Sequence, residues 1–280
     1  VTGFLAVLRA ESRDLFRHPL AWAGIAASAA AAFIFAKYAP HRDNGYTVYG
    51  AALHAGAQIA GFFLLGLSAI AVAGERSRGT VRFLLPRPIA RPAFVLGKAT
   101  ALALLALAFL AATAGTAWAG ARGQGFGDVK AEAPAGEDED GFTYSEEEVV
   151  KDPAFLASSM RWHTALATLL VLPALLTATG LGMLVSSLLA SPAAAVLVAM
   201  GVALPLNYLP EVMGLAPDAA RALPFRAASD CLSGLVDFGR HLSTAEWPGY
   251  GPAHLVGALA FSVGLPLLGA AFFCRVDLTD

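Results

Sequence analysis

Charged residues are scarce in this chain. Asp, Glu, Lys and Arg make up 14% of its 280 residues, and hydrophobic residues reach 57%, whereas soluble domains carry roughly a quarter charged residues. The mean hydropathy of +0.61 and the clustering of charge between long apolar runs exclude an ordinary soluble domain. Cysteine is scarcer still. Cys231 and Cys274 are the only two, with no CxxC and no disulfide-framework spacing. The motifs of common chemistries are also missing. No GxxxxGK followed by Ser or Thr occurs, and the nearest approach, Gly234 to Gly239 before Arg240, lacks both the lysine and the hydroxyl that a phosphate loop requires. Neither GxSxG nor HExxH is present, nor is an Asp pair inside an apolar run. The net charge of -2 gives no support to binding nucleic acid. Ser186, Ser187 and Ser191 fall at a helix end with no His nearby, which fits a turn or a cap and not a nucleophile.

Long apolar runs are abundant. Crossing the hydrocarbon takes roughly 20 residues of helix, and the sequence offers about six such stretches. They are Leu20–Ala36, Ala51–Gly74, Ala93–Trp118, Thr164–Leu189 with Pro173 inside, Ala193–Leu209 with Pro205, and Leu255–Cys274 with Pro266. The fold class expected is therefore an all-α integral membrane protein, a single unit over 1–280 with about six transmembrane helices. Ahead of the first span, residues 4–17 place Leu5, Leu8, Ser12, Leu15 and Phe16 on one side and Arg9, Arg13 and Arg17 on another. That pattern predicts an amphipathic interfacial helix within residues 1–19.

The most basic segment lies between the second and third spans. Residues 75–92 hold Arg76, Arg78, Arg82, Arg87 and Arg91 with a single acid, Glu75, and Lys98 follows. Basic residues in a short loop stay on the cytoplasmic side, so both termini are expected to be cytoplasmic. Val81, Phe83, Leu84 and Leu85 give the loop an apolar content that a topology signal does not need, which suits docking on a cytoplasmic partner. Pro86 and Pro88 would end any helix formed there.

The acids sort to the other side. Residues 120–161 form an acidic extracytoplasmic loop in which Tyr144–Met160 is expected to make a short helix. Its acids lack the spacing of a calcium loop, and no metal site is expected. Residues 210–253 carry Leu223, Phe225, Cys231, Leu232, Leu235, Val236 and Phe238, with Trp247 and Tyr250, and are read as an outer interfacial segment. Within the spans, His54 and Gln58 lie four residues apart on one helical face, and Asn207 sits near the end of the fifth. Polar groups at such positions either tie helices together or line a substrate path.

The arrangement resembles the membrane subunit of a type-2 ABC transporter. The resemblance covers nearly the whole chain. It is carried by Glu75-Arg-Ser-Arg-Gly-Thr-Val-Arg-Phe-Leu-Leu, then Pro88-Ile89, Arg91 and Leu96-Gly97-Lys98, and by Leu223-Pro224-Phe225 with Ala227-Ala228 and Leu232. It implies a permease subunit forming the transmembrane pathway, with no covalent chemistry and no cofactor of its own. ATP and Mg would be bound by a separate ABC ATPase, present in two copies. The permease would pair with a second subunit as a homodimer or heterodimer, surrounded by lipid in a bacterial-type inner membrane. The loop after the second span would be the coupling helix, with Glu75, Arg76, Arg78, Gly79, Thr80 and Arg82 contacting the ATPase. The long acidic loop departs from the family, which commonly keeps that connection short. The rival from another class is a non-transporting membrane scaffold or receptor that recruits a protein through the acidic loop.

Overall fold

The computed structural model describes residues 2–38, 44–79, 91–130, 153–212, 214, 223–239 and 252–275. The helices run in the order α1 (Thr2–Leu15), α2 (Pro19–Tyr38), α3 (Gly45–Ala71), α4 (Ala73–Ser77), α5 (Arg91–Ala121), α6 (Ala157–Leu188), α7 (Pro192–Val212), α8 (Pro224–Gly239) and α9 (Pro252–Arg275). Five stretches are long and apolar enough to cross a membrane: Pro19–Tyr38, Gly45–Ser77, Arg91–Gln124, Ala157–Leu188 and Val256–Arg275. A shorter apolar stretch, Pro192–Pro205, lies in α7. The chain is an all-α integral membrane protein.

Several elements extend past their expected ends. α3 begins at Gly45 because Asn44 caps it, its side-chain oxygen accepting from the Tyr46 and Thr47 amides at 2.9 and 3.1 Å. α6 begins at Ala157, whose amide donates to Asp128 Oδ1 at 2.7 Å. Of the segment Tyr144–Met160, residues 144–152 lie outside the described residues, so the expected short helix concerns mostly undescribed chain. Pro153–Phe155 is strand β2, paired antiparallel with β1 (Val129–Lys130), and Ala157–Met160 is already the first turn of α6. The small pairing and the Asp128 cap hold both ends of the acidic connection together. The acidic tract itself, like Trp247 and Tyr250, lies outside the described residues.

α3 packs against α2, α5, α6, α7 and α8 and is the centre of the bundle. Its buried face, including Tyr46, Leu53 and Leu64, meets Leu102, Leu105 and Phe109 of α5 and Leu170 and Met183 of α6. Where α3 crosses α6, the backbones nearly touch. A Cβ added at Gly182 would lie 2.7 Å from the Leu65 carbonyl and 2.9 Å from the Ala69 amide. Lipid tails are as apolar as leucine, so close approach through small residues, not hydrophobic exclusion, holds such helices together. Hydroxyls on the spans bond back to their own helix, as Thr113 does to Phe109 O and Thr168 to Thr164 O, both at 2.7 Å. Large apolar side chains point outward, among them Trp22, Phe33, Leu169 and Leu197, as lipid-facing positions require.

α1 is not laid on the surface by its leucines alone. Val7 is buried against α5, while Leu5 is 54% exposed. Gly97 makes room for this docking, because a Cβ there would come within 2.7 Å of Val7 Cγ1. On the other side of the bundle, α8 turns Ala227, Ala228, Cys231, Leu232 and Leu235 inward and packs on α3 and α6. Arg226 and Asp230 pair at 2.9 Å along the same helix.

Candidate functional site

The basic loop leaves the bundle through a break in α3. The helix ends at Ala71, and the amides of Val72 and Ala73 donate to Ser186 Oγ at 2.9 and 2.8 Å. Ser186 is fully buried in the last turns of α6. A serine normally satisfies the free amides of its own helix start, whereas here α6 lends one to α4. Arg76 adds a second tie to the same place, donating to Ser187 O at 3.2 Å. α4 lasts five residues. Its end is set by Gly79, whose φ of +71° is a left-handed conformation that glycine adopts without steric cost and whose amide donates to Arg76 O at 3.0 Å.

Below this break lies a charged cluster. Lys98 of α5 is only 3% exposed, and its ammonium bonds Glu11 Oε1 of α1 at 2.5 Å and Glu75 Oε1 of α4 at 2.7 Å. The ammonium also lies 5.1 Å from the centroid of the Phe94 ring. A buried cation needs such partners, because leaving water unpaired costs more than the pairing returns. The same lysine therefore joins three segments: the amino-terminal helix, the start of the basic loop and the third span. Arg91, at the start of α5, donates to Cys274 O in the last turn of α9 at 3.3 Å, which binds the far side of the loop to the last helix.

Among the described residues, the cluster brings two carboxylates onto one ammonium. Burial raises the Glu11 carboxyl above its ordinary value of 4.5, Lys98 pulls it down, and Glu75 pushes it up further. Protonating Glu11 would still leave Lys98 paired with Glu75. Since the folded chain holds this proton more tightly than the unfolded one, the resulting stabilisation is full below 4.5 and is lost as pH rises through the folded-state pKa. The thermal midpoint of the wild type, measured against Glu11→Gln in detergent, is expected to fall relative to the variant as pH rises above 4.5. A difference that stays constant with pH would show that Glu11 does not titrate in this way.

The residues singled out in the loop divide. Glu75 and Arg76 are turned inward onto Lys98 and Ser187, Arg78 is exposed and Gly79 is half-buried. Thr80 and Arg82 lie outside the described residues. His54 and Gln58 bond each other at 2.9 Å along α3 and line a cavity of about 320 Å³. Asn207 belongs to α7, but its side chain lies outside the described residues. Sequence reasoning passed over Glu11, and it assigned Ser186 a turn or a cap without naming the helix that it caps. Glu11 had a signal: it falls in line with Val7 and Leu15 at four-residue spacing, an acid on the apolar side of a helix otherwise rich in arginine. The partner of Ser186 had none, because Val72 and Ala73 are more than 110 residues away. Among the described residues, no group of three or more His, Cys, Asp or Glu could hold a metal ion.

The sequence matches the family model described as ABC-2 family transporter protein over residues 22–278. No curated protein matches the chain. The matched region takes in the membrane helices, the break after α3, the Lys98 cluster apart from Glu11, and the helix packed over the opposite end. The chain belongs to the ABC-2 transporter family, as a multi-pass membrane subunit of an ABC transporter.

Proposed function

We propose that the chain forms half of a transmembrane pathway and is driven by a separate ABC ATPase docked on the basic loop. The observation that carries this reading is the anchoring of the loop. Its first residues are bonded to α6 through Ser186 and Arg76, and to α1 and α5 through Glu75 and Lys98. A push on a loop held this way reaches several helices at once, and is not absorbed by slack. Two ATPase copies, each binding ATP and Mg, would work on a dimer of permease subunits, with the loop and both termini in the cytoplasm of a bacterial-type cell. Arg78, Gly79, Thr80 and Arg82 would touch the ATPase, with Glu75 and Arg76 contributing mainly by holding the loop in place. The chain itself would carry out no covalent chemistry.

The test is capture of the ATPase by the full chain in detergent. Reversing Arg78 and Arg82 to Glu is expected to weaken capture about tenfold or more, since like charges across an interface are costly, while insertion is kept by the remaining basic residues. Gly79→Pro is expected to uncouple without changing charge. Proline fixes φ near -65°, and this position stands at +71°. Equal capture by wild type and both variants would reduce the loop to a topology signal. An absence of any ATPase partner would favour the scaffold.

A further inference from the structure

A cavity of about 320 Å³ opens between α3, α6, α7 and α8, at membrane-spanning depth. Its walls are apolar, with Phe62 from α3, Leu175 from α6, Met200 from α7 and Phe225 from α8. Among the described residues, no Asp, Glu, Lys or Arg lines it, and the polar groups reaching it are His54, Gln58 and Ser229. His54 is half-buried and Gln58 exposed, on a helix that otherwise meets protein or hydrocarbon. With Gln58 Nε2 donating to His54 Nε2 across 2.9 Å, the ring carries its proton on Nδ1. Neither that N–H nor Gln58 Oε1 has a hydrogen-bond partner among the described residues. In hydrocarbon an unsatisfied polar group costs several kcal/mol. A recess of about this volume, apolar with a few polar groups, has the dimensions of a small-molecule site.

We propose that this recess binds a membrane-dissolved amphiphile with a compact or chain-like apolar body and one uncharged hydroxyl or carbonyl group. The apolar part lies among Phe62, Leu175 and Met200, and the polar group exchanges hydrogen bonds with His54 and Gln58. A charged head group is disfavoured, because no described side chain in the recess offers a counter-charge to answer the desolvation of an ion. Entry is sideways from the bilayer, where such molecules concentrate. The site deepens the transport reading by naming a substrate class, but its occupancy needs no ATPase, so the two stand or fall separately.

The experiment uses the full chain in lipid nanodiscs and a diazirine-bearing long-chain alcohol, with the carboxylate and ammonium analogues of the same chain length beside it. After photolysis, adducts are mapped by mass spectrometry. The alcohol is expected to label segments 54–65 and 225–232, and excess unlabelled alcohol should suppress those adducts while leaving the ones on outward faces such as Leu197. The double variant His54→Leu, Gln58→Leu is expected to lower labelling in the recess about tenfold, the worth of one or two lost hydrogen bonds. Ala174→Phe, which fills the recess without touching the polar pair, is expected to do the same. Labelling spread evenly over lipid-facing helices, or not suppressed by competitor, would overturn the proposal even if the variants fail to fold. Equal labelling by the charged analogues would overturn the assignment of an uncharged ligand. Labelling lost in discs holding two copies would show that a second chain covers the recess instead. Stimulation of a partner ATPase by the same alcohol is read separately, and its absence beside intact labelling would count against the transport reading alone.

Discussion

Lys98→Met is expected to destabilise the folded chain by about 3 kcal/mol, because it takes the buried ammonium away from the two acids that share it. Lys98 is almost wholly buried, and Glu11 and Glu75 would then face each other without its ammonium between them. The two carboxylates keep 20% and 23% of their side-chain surface, so part of the cost is relieved by water and by protonation, and the lower end of the usual range applies. Thermal unfolding in detergent measures the effect. The triple variant Glu11→Gln, Lys98→Met, Glu75→Gln should recover most of the loss, since it also removes the repulsion between the two acids. Beyond stability, Lys98→Met should loosen α1 and raise amide exchange over residues 2–15. A variant that unfolds at the wild-type temperature and exchanges normally would show that the cluster is not the fastener described above.

Gly182→Leu is expected to abolish the monodisperse species, and Gly182→Ala to cost about 1–3 kcal/mol, the usual range for overpacking a filled interface. The reason is backbone proximity. The atoms nearest the new Cβ include the Leu65 carbonyl and the Ala69 amide, which belong to α3 and cannot rotate away. Either α3 and α6 separate, losing the contact that centres the bundle, or α3 bends toward the break at Val72. Gly115→Ala is the control, since nothing lies within 4 Å of a Cβ at that exposed helical position, and it should be neutral or slightly stabilising, as alanine favours helix. Size-exclusion profiles and thermal midpoints in the same detergent compare the three. An unaltered Gly182→Ala would mean that the crossing is looser than described.

The sequence announced the helices well and their meeting points poorly. Apolar runs of the length of α2, α3, α5, α6 and α9 declare themselves because a bilayer imposes one length and one polarity on whatever crosses it. Their starts were less legible, since the Asn44 and Asp128 caps depend on single side chains, and the latter reaches across a loop to Ala157. Within the candidate site, Glu75 was visible as the lone acid in a basic segment, yet nothing local said that it faces inward. Its direction is fixed by Lys98, 23 residues later. Leu96-Gly97-Lys98 carries part of the family resemblance, and the structure supplies reasons: Gly97 admits Val7 and Lys98 holds two acids. His54 and Gln58 could be placed on one face by spacing alone, but the recess they border is made by three other helices, which no local pattern describes.

The Lys98 cluster also sets an order of assembly. Glu11 leaves the ribosome 87 residues before its lysine, which at roughly 5–20 residues per second is a wait of about 4–17 s. During that interval the amino-terminal helix has neither Lys98 nor the Gly97 surface to rest on. It must stay in the membrane interface by its own amphipathic character, while α2 and α3 insert beside it. The arginines on its polar side and the leucines on its other side are thus needed earliest, and Glu11 is satisfied only when α5 arrives. Closing this cluster is therefore a late, long-range event in the birth of the protein, and it fastens α1 to a span completed well after it.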